Sequence, residues 1–131
     1  MTGDKDERAL VAEWREILAV HARTTGEIDR ELHPYGLRAS DFEVLDVLVG
    51  GGTQDGGSAF RVQELADRVH LSQSALSRLV SRLEKDGLVG RDTCSEDRRG
   101  VRVAITAAGR ERYEEARPGH LAVLERMLPR G

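Results

Sequence analysis

Between residues 6 and 32, apolar side chains return at three- and four-residue steps. Leu10, Trp14, Ile17, Leu18, Ile28 and Leu32 keep this spacing, His21 falls in the same register, and acids and arginines fill the gaps. The period is that of one long helix with a single apolar face. The pattern stops near Pro34 and Gly36. Ser40, followed three residues later by Glu43, has capping-box spacing and opens a second helix through Phe42, Leu45, Val47, Leu48 and Val49 that ends in glycine. The next stretch, GGGTQDGGS from Gly50 to Ser58, has five glycines in nine residues. Fixing that much free backbone costs too much entropy for a regular element, so it predicts a loop within one domain.

Val62, Leu65, Ala66 and Val69 form the inner stripe of a short helix, and a brief turn follows at His70 and Leu71. Ser72 then caps a helix that runs to about Asp86 and closes at Gly87, a residue suited to a left-handed helix exit. Two helices joined by a tight turn make a helix-turn-helix. Leu88 to Thr93 and Val101 to Ile105 read as short strands flanking a charged hairpin tip at Ser95 to Gly100. Thr106 caps a last helix with apolar positions Tyr113, Ala116, Leu121, Leu124 and Leu128, and a kink or break is expected at Pro118 and Gly119. The whole is a mainly α fold with a small β-hairpin.

On a helical wheel, Leu76, Leu79, Val80 and Leu83 share one side of the second helix of the pair. Ser74, Ser77, Arg78, Ser81, Arg82 and Lys85 take the other, with Gln73 at the exposed N-terminal end. The outer face carries no acid before Glu84. Small serines let a helix approach a DNA groove, and Arg, Gln and Ser hydrogen-bond base edges and phosphates. An ordinary solvated helix face has the same composition, so the helix alone leaves both readings open. The hairpin adds Arg98 and Arg99, long cations placed to reach a phosphate or a narrow minor groove, with Asp97 beside them as an orienting carboxylate.

Charge changes the picture only when it is located. The 131 residues carry a formal net charge of -3, which looks wrong for a nucleic-acid binder. Residues 61 to 112, however, hold eleven Lys or Arg against eight Asp or Glu, and the remainder nine against fifteen. The positive charge is concentrated around the helix-turn-helix. The length fits one domain, and the single cysteine, Cys94, excludes an internal disulfide framework. No apolar run reaches the ~20 residues of a membrane span, and the N-terminus is unlike a secretion signal, so a cytoplasmic protein is expected. No nucleophile elbow, Walker loop or zinc-protease motif occurs, and His21, His33, His70 and His120 are scattered. Neither an enzyme nor a cofactor is expected.

The segments LADRVHLSQSALSRLVSRLEKDGLVGRD, EDRRGVRVAIT and TAAG resemble the MarR family of winged helix-turn-helix transcriptional regulators. The most specific part is Asp97-Arg98-Arg99 ahead of the junction Ile105, Thr106 and Gly109. The resemblance implies a single domain over residues 1–131, with a DNA-binding lobe at about 40–106 and dimerisation helices at about 6–34 and 107–128. It places the helix at Ser72 to Asp86 in the major groove, which makes Gln73, Ser74, Ser77, Arg78, Ser81 and Arg82 the groove candidates. Arg99, with Arg98 beside it, is implied for the minor groove, and Asp97 for their support.

It further implies a homodimeric repressor on a near-palindromic operator in double-stranded DNA, with half-sites ~10 base pairs apart. Such proteins generally carry a further helix beyond the position of Met127, so either a smaller dimer interface or a sequence cut short of that helix is expected. A small aromatic or phenolic effector is implied in a cleft that Trp14, His21, His33 and Tyr35 are candidates to line. As residues on the packing stripe of the first helix, Trp14 and His21 read more readily as core or dimer contacts. The competing function is a winged helix used only for protein contacts.

Overall fold

The computed structural model describes residues 2–50, 59–93 and 101–130. The elements run α1 (Thr2–Leu32), a 3-10 turn at His33–Tyr35, α2 (Ala39–Gly50), β1 (Phe60–Arg61), α3 (Val62–Val69), α4 (Gln73–Lys85), β2 (Val89–Thr93), β3 (Val101–Ile105) and α5 (Ala107–Met127). The expected helices and the hairpin strands are all present. The glycine-rich stretch 51–58 and the hairpin tip, with Cys94, Asp97, Arg98 and Arg99, lie outside the described residues.

The first helix has the expected period but not the expected burial. Its last turns pack Thr24, Ile28 and Leu32 inside, whereas Leu10, Trp14, Ile17 and Leu18 are 67%, 57%, 56% and 47% exposed. The apolar stripe is real, yet its outer half is left uncovered by the described residues. The capping box expected at Ser40 and Glu43 does not open α2. The helix begins at Ala39, with the Asp41 carboxylate accepting from the Arg38 backbone N–H at 2.8 Å and the Asp29 carboxylate accepting from the Ala39 N–H at 2.7 Å. A cap supplied from α1, ten residues away, leaves no local spacing to read.

The sheet has three strands, not the expected two. β3 lies in the middle, antiparallel to both neighbours, with Phe60 opposite Val103 and Val89 opposite Ile105. Phe60, Val103, Leu88 and Val89 are buried and join Leu65, Leu76, Val80 and Leu83 of the helix pair in one core with Leu32, Phe42, Leu45 and Leu48. The α3–α4 turn depends on His70 at φ 59, whose N–H bonds the Ala66 carbonyl, and Gly87 ends α4 at φ 79. Ser72 caps α4 by accepting from the Ala75 N–H at 3.1 Å.

The helix α5 is continuous through Pro118, against the expected break. Pro118 and Glu114, whose carbonyl loses its usual donor, are both exposed, so water replaces the missing bond. Its buried side carries Gly109, Tyr113, Ala116 and Val123, while Leu121 and Leu128, expected inside, are 51% and 41% exposed. At its start Thr106 accepts from the Gly109 N–H at 3.0 Å and donates to the Gly87 carbonyl at 2.7 Å. These bonds join the sheet to the long helix. Near its middle, a Cβ on Gly119 would stand 2.8 Å from a Glu31 carboxylate oxygen, so α5 and α1 run in close contact.

Candidate nucleic-acid interface

The helix α4 is held by one face and open on the other. Leu76, Leu79, Val80 and Leu83 are buried, and Gln73, Ser74, Ser77, Arg78, Ser81, Arg82 and Lys85 are exposed. With Leu76 and Val80 wholly buried, rotation about the helix axis would expose apolar surface at about 25 cal/mol per Å², which locks the outer face in place. The basic residues of the last turn, Arg82 and Lys85, also complement the helix dipole.

The outer side chains are not equivalent. Arg82 donates to the carboxylate of Asp41, which is 2% exposed in α2, so this guanidinium fastens α4 to α2. The Ser81 hydroxyl accepts from Arg91 of β2 at 2.7 Å, and Arg91 also faces Glu84 at 3.3 Å. Ser74 lies 3.4 Å from the Ser72 hydroxyl. Among the described residues Arg78, Gln73 and Ser77 have no side-chain partner, and they form the available polar surface at the N-terminal and central part of the helix. Sequence reasoning missed Asp41 and Arg91. Asp41 shares its stretch of α2 with Glu43 and Asp46, so nothing in the sequence marked it as the acid that is buried.

A cleft of ≈ 910 Å³ opens on the other side of the helix pair. Its apolar walls include Ile17, Val20, Ile28, Leu71 and Leu124, with Thr24, Glu43, His70 and His120 among its polar groups. Of the four effector candidates only His21 lines it. Trp14 lies further out along α1, and His33 and Tyr35 occupy the turn beyond its far end, where the Tyr35 carbonyl accepts from Arg112 at 2.8 Å. Helical spacing put Trp14 and His21 on one face without revealing how far along it the neighbouring helices reach.

Burial sets the ionisation of this region. It raises the Glu43 carboxyl above its ordinary range, with a smaller contribution from Asp46. It lowers His120, which stacks on Phe42 with ring centroids 4.0 Å apart. It also raises Tyr113 to about 12, helped by the hydrogen bond from its hydroxyl to Asp46. Among the described residues no group of three or more His, Cys, Asp or Glu is placed to hold a metal ion, and no helix is long and apolar enough to cross a membrane.

This arrangement has close structural counterparts. AbsC, a MarR family transcriptional regulator from Streptomyces coelicolor, superposes with a TM-score of 0.77 at 32% identity, over 89% of this chain and 76% of that one. Sco3205, another MarR family regulator from that organism, solved in complex with DNA, gives a TM-score of 0.80 at 29% identity over 94% of this chain and 74% of its own. The transcriptional regulator MhqR of Bacillus subtilis (strain 168) is 27% identical over 101 residues, or 77% of this chain. The match spans 66% of MhqR, just under two thirds of that relative's length. The MarR family model itself matches residues 58–101, the segment that holds β1, the helix pair and β2. On the agreement of sequence and fold with AbsC over most of both molecules, the chain belongs to the MarR family of transcriptional regulators.

Proposed function

We propose that the protein is a sequence-specific regulator that binds double-stranded DNA as a homodimer and represses transcription until a small molecule enters the cleft beside α1. The observation that carries this reading is the outer face of α4, exposed along its length, free of acids before Glu84 and bearing an Arg78 with no side-chain partner among the described residues. In the major groove Arg78, Gln73 and Ser77 read base edges, with Ser74 and Ser81 close to the phosphates. Arg82 is the fastening that sets the angle of the helix. The family resemblance assigns Arg99 and Arg98 to the adjacent minor groove, with Asp97 as their support. The DNA complex of Sco3205, which shares this fold at 29% identity, supports the assignment.

The homodimer rests on the uncovered stripe of α1, Leu10, Val11, Trp14, Ile17 and Leu18, together with exposed Leu121 of α5 and Leu128 beyond it. Scattered apolar residues are ordinary on a surface, but five within nine residues of one helix are an association surface. Two copies joined there carry two α4 helices about one DNA turn apart.

Selection of bound sequences from random DNA is the decisive experiment, and a palindromic winner is the expected result. Arg78→Ala then weakens binding to the selected site by about 1 to 3 kcal/mol while leaving the fold intact. Equal affinity of Arg78→Ala and Arg99→Ala with the parent would refute the reading. Salt-insensitive capture of a protein, with no retention on heparin or DNA, would favour the protein-contact module instead.

A further inference from the structure

Glu84 breaks the pattern of the outer face of α4. Seven residues, about two helical turns, separate it from Ser77, so it stands on the same stripe as Gln73, Ser77 and Ser81 of the proposed groove face. Its side chain is 44% exposed. Held against a duplex, a carboxylate on that stripe opposes the phosphates, and part of the water that screens it in the free protein is displaced. Left uncompensated, it would cost affinity on a face that is free of acids up to that point.

The compensation comes from the sheet. Side chains alternate along β2, so Arg91 shares a face with Val89, which is 2% exposed, and stands opposite Val103, which is wholly buried. Where that face leaves the core, Arg91 donates to the Ser81 hydroxyl at 2.7 Å and stands 3.3 Å from the Glu84 carboxylate. Two features give this arrangement a role beyond bracing. An ion pair this open to solvent adds little to stability, so the fold does not depend on it. The Ser81 oxygen, moreover, accepts from a cation, which leaves its own O–H free to donate to a phosphate oxygen.

We propose that Arg91 is a positioning residue for DNA recognition: it neutralises Glu84 on the groove-facing stripe and holds the Ser81 hydroxyl towards the phosphates, without itself touching the DNA. The proposal deepens the DNA-binding reading and rests on it. What Arg91 supplies is mainly the removal of a repulsion, so its loss is repaired by removing the acid.

The test is a mutant cycle read by fluorescence anisotropy on the selected DNA site, with urea unfolding as the check of the fold. Arg91→Met is expected to weaken binding about tenfold, or about 1.4 kcal/mol, with a urea midpoint close to the parent's. Arg91→Gln, which keeps a donor for Ser81 but loses the charge, is the second variant and shows the same loss. Glu84→Gln alone does not weaken binding. Added to either Arg91 variant it restores most of the lost affinity, which a merely structural role of Arg91 would not allow. The log-log salt slope of both Arg91 variants stays at the parent's value, whereas losing a direct phosphate contact would flatten it by about 0.9.

The proposal is overturned if Glu84→Gln fails to rescue the Arg91 variants, if those variants flatten the salt slope by a full contact, or if Glu84→Gln by itself weakens binding or changes the preferred bases. A parent protein that selects no sequence strikes the proposed function, and a parent that binds while the rescue fails strikes only this inference.

Discussion

Gly109 offers the sharpest test of how the DNA-binding lobe is joined to the long helices. It is the third residue of α5, and a Cβ there would lie 2.1 Å from the Leu88 carbonyl oxygen and 2.7 Å from the Ile105 Cγ1. Backbone cannot swing aside as a flexible side chain can, so Gly109→Ala must lift the helix by more than an ångström. Forced overpacking costs about 1 to 3 kcal/mol. The lift also breaks the Thr106 N–H bond to the Leu88 carbonyl at 3.1 Å and the Thr106 hydroxyl bond to the Gly87 carbonyl at 2.7 Å, at about 1 kcal/mol each.

Against this, alanine gains about 1 kcal/mol of helix propensity. The net expectation is a loss of about 2 to 4 kcal/mol, or roughly 6 to 16 °C in Tm. Gly26 of α1 is the internal control, since it is exposed and a Cβ there meets nothing within 4 Å. Gly26→Ala should therefore stabilise the protein by up to about 1 kcal/mol. Urea unfolding followed by circular dichroism measures both, and an equal gain from the two substitutions would refute the close-approach argument.

The Arg82–Asp41 pair predicts an asymmetry. Arg82→Met strands a carboxylate that is 2% exposed and should cost about 2 to 3 kcal/mol, whereas Asp41→Asn leaves an arginine that is 42% exposed to water and should cost about 1 kcal/mol. Equal losses in denaturant titrations would show that Asp41 is not the buried partner. Tyr113 should titrate at about 12 against an ordinary 10.0. Its folded pKa is raised, so the stability it contributes is full below pH 10 and is lost as the pH climbs towards 12. Ultraviolet titration of the native protein should show a displaced tyrosine step, and Tyr113→Phe should remove it.

The helix pair was legible because each helix has one inner face and a local stop signal. Leu76, Leu79, Val80 and Leu83 are buried as the wheel requires, and Ser72, Gly87 and Thr106 act through contacts within a few residues or with the adjoining turn. What escaped was long-range. β1 is only Phe60–Arg61, too short for alternation to register, and it exists because β3 has a second edge to pair. The start of α2 depends on Asp29, and the orientation of Arg82 on Asp41, forty-one residues distant. The exposed side of α4 was readable as a set. Its division into available and engaged side chains was not, because Asp41 and Arg91 arrive from other elements. The cleft needed four elements to meet, so among the proposed effector contacts only His21 was placed by helical spacing.

The first helix is 31 residues long, and among the described residues its N-terminal half is exposed from Asp6 to Leu18. Helical stretches of that length are marginal when isolated in water. On the proposed homodimer the order of this segment follows mass action: a second copy would supply the missing wall at high protein concentration, and on dilution the ends would fray while the compact lobe stays folded. Far-ultraviolet ellipticity that declines on serial dilution, without loss of the tyrosine near-ultraviolet signal, is the signature of a molecule whose longest element is completed only in company.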